Sequence, residues 1–286
     1  MPPLGRTEEM LPNFLVIGAM KAGTDSLWEY LRNHPQVFMS QTKELDFFTA
    51  ELNWRRGQVW YGQQFPGADG AVAVGEASTS YAKFPVHQGV PSRMAQVVPG
   101  ALLIYLVRQP VERIRSQYLH QVLLGQEREP IERAVLANPA YLNFSRYAMQ
   151  VEQYLEHFPR DSILIIRSES LRDDREATMA LVFDFLGVEG RPPEEVLHRE
   201  FHRTAEKRVL RSFLQGARRL PGYRPLSRRV PRLVKARTRR FRTRGVDPRQ
   251  AVLPDRVRLD LEGLLRDDVQ RLRTYIGDDF DGWGIG

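Results

Sequence analysis

The sequence of 286 residues contains no cysteine. This absence excludes disulfide bonds, thiolate metal ligands and a cysteine nucleophile. Apolar runs are short as well, and none approaches the roughly 18 residues that indicate a membrane-spanning helix. Residues 1–12 carry charges where a secretory signal has an apolar segment. We therefore expect a cytoplasmic globular protein.

Acidic residues are missing from one long segment. Residues 207–244 include 15 lysines and arginines and no aspartate or glutamate, whereas the whole chain has a net charge of +7. A basic insertion or lid is predicted at 203–250, and a nucleic-acid-binding or membrane-binding module is the alternative. Few aromatic side chains and three prolines in 207–244 argue against a stacking platform or one continuous helix. We predict no specific nucleic-acid binding and only weak contact of 207–244 with anionic surfaces.

Short apolar segments alternate with amphipathic ones along the chain. Strands are predicted at 13–19, 37–39, 71–74, 101–107 and 162–166, and helices at 24–32, 91–98, 111–124, 147–157, 176–186 and 255–275. Apolar strands without polar alternation are typical of a parallel sheet that is covered on both faces. The sequence predicts an α/β fold, a three-layer sandwich with a central parallel sheet, in a single domain over 10–286.

The first predicted strand ends in a glycine-bearing loop that opens a helix. The loop contains Gly18, Lys21, Gly23 and Thr24, and amide groups at a helix N-terminus bind phosphate. A Walker A loop has its lysine after the second glycine, whereas Lys21 stands between the two. No acidic strand end supplies a clear magnesium ligand, so a nucleotide triphosphatase is disfavoured and no metal site is predicted. A P-loop-like nucleotide kinase and a plain glycine turn with a solvated lysine remain alternatives.

Five segments, in order, resemble the family of sulfotransferases that use 3′-phosphoadenosine-5′-phosphosulfate (PAPS). These segments are residues 14–35, 43–48, 75–81, 103–118 and 267–283. The resemblance is to the branch that contains heparan sulfate sulfotransferases and bacterial relatives. It implies a P-loop-like phosphosulfate-binding loop, PAPS as the donor, and transfer of a sulfuryl group to a hydroxyl of a carbohydrate, lipid or small-molecule acceptor.

The resemblance also assigns roles to residues. Glu44 is implied as the catalytic base and Lys21 as the cation that stabilises the leaving phosphate. The implied donor-binding residues are Lys21, Ala22, Gly23, Thr24, Asp25, Ser26, Arg108, Ser116, Lys207 and Arg208. Candidate acceptor contacts are Asp46, Trp54, Glu76 and Tyr81, with ordinary packing as the alternative for the tryptophan.

Two positions depart from the resembling family. Asp46 stands where many relatives carry histidine, and Ala77 stands where the heparan sulfate branch carries lysine. An aspartate does not replace a cationic partner, and alanine has no charge. A polyanionic glycan acceptor bound in the manner of that branch is therefore not implied.

Overall fold

Five parallel strands form the central sheet. In the computed structural model, which describes residues 10–189, 252–277 and 279–285, the strand order is β2-β3-β1-β4-β5. The strands are β1 (Phe14–Gly18), β2 (Val37–Met39), β3 (Ala73–Ala77), β4 (Leu102–Val107) and β5 (Ile163–Arg167). Because the chain leaves β1 toward β2 on one side and leaves β3 toward β4 on the other, the carboxyl end of β1 lies at the switch point where such sheets bind ligands.

Helices connect and flank these strands. They are α1 (Thr24–Arg32), α2 (Gly57–Gly62), α3 (Val90–Val97), α4 (Pro110–Leu123), α5 (Ile131–Ala137), α6 (Pro139–Asn143), α7 (Tyr147–Leu155), α8 (Ser168–Asp173), α9 (Arg175–Leu186) and α10 (Asp255–Ile276). Every residue of β1 is buried, as expected for a strand covered on both faces. The predicted α/β fold with a parallel central sheet is confirmed. The basic segment 203–250, with Lys207 and Arg208, lies outside the described residues.

The third strand differs from its predicted position. The apolar pattern predicts 71–74, whereas β3 covers Ala73–Ala77 and is buried throughout. The predicted strand ended at Val74, before Gly75 and Glu76, and a carboxylate such as that of Glu76 is costly to bury without partners. In the structure this carboxyl group accepts hydrogen bonds from hydroxyl groups inside the core, so the strand continues through it.

The last described helix fixes the start of α7. The Asp268 carboxylate accepts hydrogen bonds from the backbone N–H of Ala148 (3.0 Å) and of Met149 (2.9 Å). These are first-turn amides of α7, which favour a negative charge. Trp283 packs nearby, with its ring centre 6.0 Å from that of Tyr147.

Among the described helices, none combines the length and apolar character needed to cross a bilayer.

Candidate active site

The loop between β1 and α1, residues 18–24, is called the glycine loop below. A Cβ atom at Gly18 would lie 2.9 Å from the Cβ of Ala82 and 3.1 Å from the Tyr105 ring, so only glycine fits there. Gly23 is the N-cap of α1 with a φ of 102°, a conformation that L side chains rarely adopt. Thr24 is consequently the first helical residue. A glycine N-cap leaves the front of the helix open for an anion.

Lys43 joins the glycine loop to the proposed base. Its ammonium donates a hydrogen bond to Oγ1 of Thr24 (3.1 Å) and another to the Asp25 carboxylate, and it lies 3.4 Å from Oε1 of Glu44. The pairing with Lys43 supplies a positive partner for the Asp25 carboxylate, which directly follows the glycine loop. The predicted contact of Asp25 with the donor stays a prediction.

The Glu44 carboxylate is held at a defined place. Its Oε2 accepts hydrogen bonds from the backbone N–H (2.8 Å) and Oγ1 (3.1 Å) of Thr79, while 38% of the side chain is exposed. Glu44 and Asp46 have φ angles of 61° and 52°. Left-handed backbone at such residues costs on the order of 1 kcal/mol each and occurs mostly at functional sites. The geometry therefore leaves Glu44 oriented and accessible to an acceptor.

A hydroxyl network under residues 43–48 maintains this strained backbone. Oε1 of Glu76 accepts hydrogen bonds from the hydroxyls of Tyr61 (2.8 Å) and Tyr81 (2.6 Å), and Oε2 accepts one from Ser78 (2.6 Å). The Ser78 hydroxyl in turn accepts from the N–H of Asp46 (2.9 Å), and that of Tyr81 accepts from the next N–H, at position 47 (2.9 Å). Two hydroxyl groups, of Ser78 and Tyr81, thus connect the backbone of residues 46 and 47 to Glu76 in β3.

This network changes the assignment of two predicted acceptor contacts. Glu76 is 0% exposed and Tyr81 is 2% exposed, so both lie beneath the surface instead of lining it. Burial raises the pKa of Glu76 to about 7, and the hydroxyl donors oppose that rise by stabilising the carboxylate. We therefore assign these residues to support of the site and not to acceptor contact.

Asp46 and Trp54 lie closer to the surface. Oδ1 of Asp46 accepts a hydrogen bond of 2.5 Å from the Ser80 hydroxyl, and the residue is only partly buried. The Trp54 ring centre lies 5.3 Å from that of Phe47, and part of the side chain is exposed. Trp54 thus packs against Phe47, while part of its side chain remains accessible to solvent. The predicted acceptor contacts of Asp46 and Trp54 stay predictions.

Arg108 reaches the glycine loop from the end of β4. Its Nη1 donates a hydrogen bond of 3.2 Å to the carbonyl oxygen of Lys21, and its own carbonyl accepts one of 2.7 Å from the Tyr147 hydroxyl. Ser116 lies about two turns along α4 and is partly exposed. Their shared contact with a 3′-phosphate stays a prediction.

Arg113 is a site residue whose role the sequence did not predict. It is fully buried and donates to the Ser145 hydroxyl (2.5 Å), the Tyr141 carbonyl (2.7 Å) and the Gln117 amide oxygen (2.8 Å). Its Nη1 also donates to the carbonyl of Met20 in the glycine loop (3.4 Å). The signal in the sequence was a helical spacing that places Arg113 and Gln117 on one face of α4.

The fold and the site together define a class of protein. A phosphate-binding type of loop lies at the switch point of a parallel sheet, with Lys21, Lys43 and Arg108 around it and an oriented carboxylate beside it. This arrangement suits transfer of an anionic group to a nucleophile that the carboxylate deprotonates. It is the site of an α/β group transferase.

Comparison with known proteins gives the family. Residues 11–215 match the model of the sulfotransferase domain, so the chain belongs to the sulfotransferase family. Human bifunctional heparan sulfate N-deacetylase/N-sulfotransferase 3 is 31% identical over 205 residues, which cover 64% of this chain and 23% of that protein. Human heparan sulfate glucosamine 3-O-sulfotransferase 3B1 is 29% identical over 194 residues, or 64% of this chain and 48% of that one. The chain thus matches about a quarter to a half of the length of these relatives.

Solved structures agree with this family. A sulfotransferase from Alicyclobacillus acidocaldarius has a TM-score of 0.69 at 25% identity, with 96% of this chain and 99% of that chain covered. Mouse sulfotransferase SULT7A1 complexed with PAP has a TM-score of 0.50 at 15% identity, over 96% and 87% of the two chains, and supports the fold alone. The predicted family and enzyme class are confirmed.

Proposed function

We propose that this chain transfers a sulfuryl group from PAPS to a hydroxyl of a carbohydrate, lipid or small-molecule acceptor. The observation that carries the proposal is the Lys43 bridge, which sets Oε1 of Glu44 and Oγ1 of Thr24 on either side of one ammonium group. The carboxylate is therefore within a few ångströms of the loop proposed to hold the donor. Group transfer needs this proximity of base and donor.

In the proposed reaction, Glu44 removes the proton of the acceptor hydroxyl as its oxygen attacks sulfur. The new oxygen–sulfur bond forms while the bond from sulfur to the bridging oxygen breaks, and that electron pair stays on the 5′-phosphate of the leaving 3′,5′-adenosine bisphosphate (PAP). Lys21 stabilises this developing charge. Residues 21–26 hold the phosphosulfate, and Arg108 and Ser116 hold the 3′-phosphate, with Lys207 and Arg208 as further donor contacts.

The acceptor side of the site favours a neutral substrate. Glu44 and Asp46 both present carboxylates there, and position 77 holds a buried alanine in place of the lysine of the heparan sulfate branch. Carboxylates repel a polyanionic glycan at short range. We therefore propose a hydroxyl-bearing acceptor of low charge, although the relatives are named for heparan sulfate. The cytoplasmic location stays a prediction.

Calorimetry with PAP tests the donor site, and a screen with radiolabelled PAPS then tests transfer. We expect PAP to bind and Glu44→Gln to lose turnover by about 100-fold or more while keeping PAP affinity. Glu156→Gln, an exposed glutamate at the end of α7, is the matched control and keeps full turnover. Absence of PAP binding would overturn the proposal.

Magnesium-dependent phosphate transfer from ATP would support the nucleotide kinase instead. Salt-resistant, sequence-selective nucleic-acid binding without turnover would support the binding module.

A further inference from the structure

Lys83 lies beside the glycine loop but belongs to another segment. The chain that follows β3 runs along the end of β1, where the Ala82 N–H donates a hydrogen bond of 3.1 Å to the Ile17 carbonyl. The Lys83 carbonyl accepts from the N–H groups of Val86 (2.8 Å) and His87 (3.2 Å), which fixes its backbone in a turn. These contacts place Lys83 next to Gly18, at the same end of the sheet as Glu44.

The Lys83 side chain lies near the proposed base. Its ammonium lies 5.9 Å from the centre of the Phe144 ring, and the residue is partly buried. Burial lowers the pKa of Lys83, while the carboxylates of Glu44 and Asp46 raise it and Arg113 lowers it. Lys83 is thus a cation within electrostatic reach of both carboxylates on the acceptor side.

Lys83 differs from the neighbouring cations in its hydrogen bonds. Lys43 already binds Thr24 and Asp25, and the Arg113 guanidinium has acceptors on each of its three nitrogens. Within the part of the chain that the structure describes, the Lys83 ammonium makes no hydrogen bond and no ion pair within 4.0 Å. An ammonium group has three donors, and a partly buried one without acceptors is poised to bind an anionic ligand.

We propose that Lys83 is a further catalytic residue, whose ammonium binds the sulfuryl oxygens while the group passes from donor to acceptor. This inference rests on the proposed function. The acceptor oxygen must meet sulfur next to Glu44 and in front of the glycine loop, and Lys83 belongs to the segment that lies beside both. Lys83 gives up no proton in this step, since the acceptor proton goes to Glu44. Position 77 holds a buried alanine where the heparan sulfate branch carries lysine, and in this proposal Lys83 supplies the positive charge instead.

The test compares Lys83→Met with the wild-type protein. Methionine keeps an unbranched stem of similar length and removes the charge. Single-turnover transfer from radiolabelled PAPS, to the best acceptor of the screen or to water, falls by about 100-fold, as for loss of one donor to a developing anion. PAP affinity, measured by calorimetry, stays within about twofold, because PAP has no sulfuryl group. Lys83→Arg restores a large part of the rate, since it returns a positive donor.

Arg32→Met is the control for charge alone, because it removes one positive side chain at the far end of α1. Its transfer rate and PAP affinity remain those of the wild type. A Lys83→Met variant with the wild-type rate overturns the proposal. Equal losses of rate and PAP affinity also overturn it and place Lys83 in the nucleotide site. Failure of the wild-type protein to bind PAP is a different result, which overturns the proposed function itself.

Discussion

The buried carboxyl group of Glu76 makes the stability of this protein depend on pH. Its ordinary pKa is 4.5 and burial raises it to about 7. Between these values the folded protein holds a proton that the unfolded chain has lost, so the free energy of unfolding decreases as pH rises. The decrease is about 3 kcal/mol in total and ends above pH 7, where both states are ionised.

Urea unfolding at half-unit steps from pH 4.5 to 8 measures this decrease. Glu76→Gln is the reference, because an amide of the same shape does not titrate and still accepts the hydroxyl bonds of Tyr61 and Tyr81 on its oxygen. The difference in unfolding free energy between the two proteins changes by about 1.4 kcal/mol per pH unit in the middle of the range. It levels off about one pH unit above 7.

The outcome decides between two opposing effects. Burial disfavours the charged carboxylate, whereas hydrogen bonds from three hydroxyl groups favour it. If the difference in unfolding free energy between the two proteins stays constant over the whole range, the hydroxyl donors balance burial and Glu76 titrates at its ordinary pKa. That result would refute the reasoning. A wild-type protein that gains stability as pH rises, relative to the glutamine variant, would refute it more strongly.

Three further predictions concern packing, capping and the Lys43 bridge. Gly75→Ala places a Cβ atom 2.3 Å from the Phe14 ring and lowers the free energy of unfolding by about 1–3 kcal/mol in urea. Asp268→Ala removes the acceptor of two α7 amides and costs about 1–3 kcal/mol by the same assay, whereas the exposed neighbour variant Asp267→Ala costs almost nothing. Lys43→Met leaves the Asp25 carboxylate beside the donor without its cation, so PAPS affinity in calorimetry falls about tenfold, and adding Asp25→Asn restores it. A double variant no better than Lys43→Met would contradict that account.

Most of the sheet was predictable because its strands are apolar runs that can be recognised from the local sequence alone. Runs such as 101–107 are long, apolar and bounded by turn residues, and the structure forms β4 there. The end of β3 was not predictable, since Glu76 looks like a strand terminator in isolation. Its partners Tyr61 and Tyr81 lie in other segments, and only the folded chain brings their hydroxyls to it.

The residues of the candidate site also fall into two groups, those that the sequence indicates and those that only the structure indicates. Gly18 belongs to a glycine-bearing loop that follows a predicted strand, and the roles of Lys21 and Glu44 are predictions that the resemblance of residues 14–35 and 43–48 implies. Neither the loop pattern nor the resemblance assigns a role to Lys43 or Lys83. Their significance comes from where their ammonium groups lie relative to the glycine loop and to Glu44, and that placement depends on contacts between β1, β3 and the segment after β2.

The hydroxyl network beneath residues 43–48 has a fixed polarity. Because the Ser78 and Tyr81 protons both point at Glu76, the lone pairs of the two oxygens must point at the backbone N–H groups of Asp46 and Phe47. The fully buried Glu76 carboxyl group thus sets the direction of these four hydrogen bonds. The Ser78 and Tyr81 hydroxyls therefore accept hydrogen bonds from the backbone N–H groups beneath the proposed base, and a single buried carboxyl group holds the backbone there in its left-handed conformation.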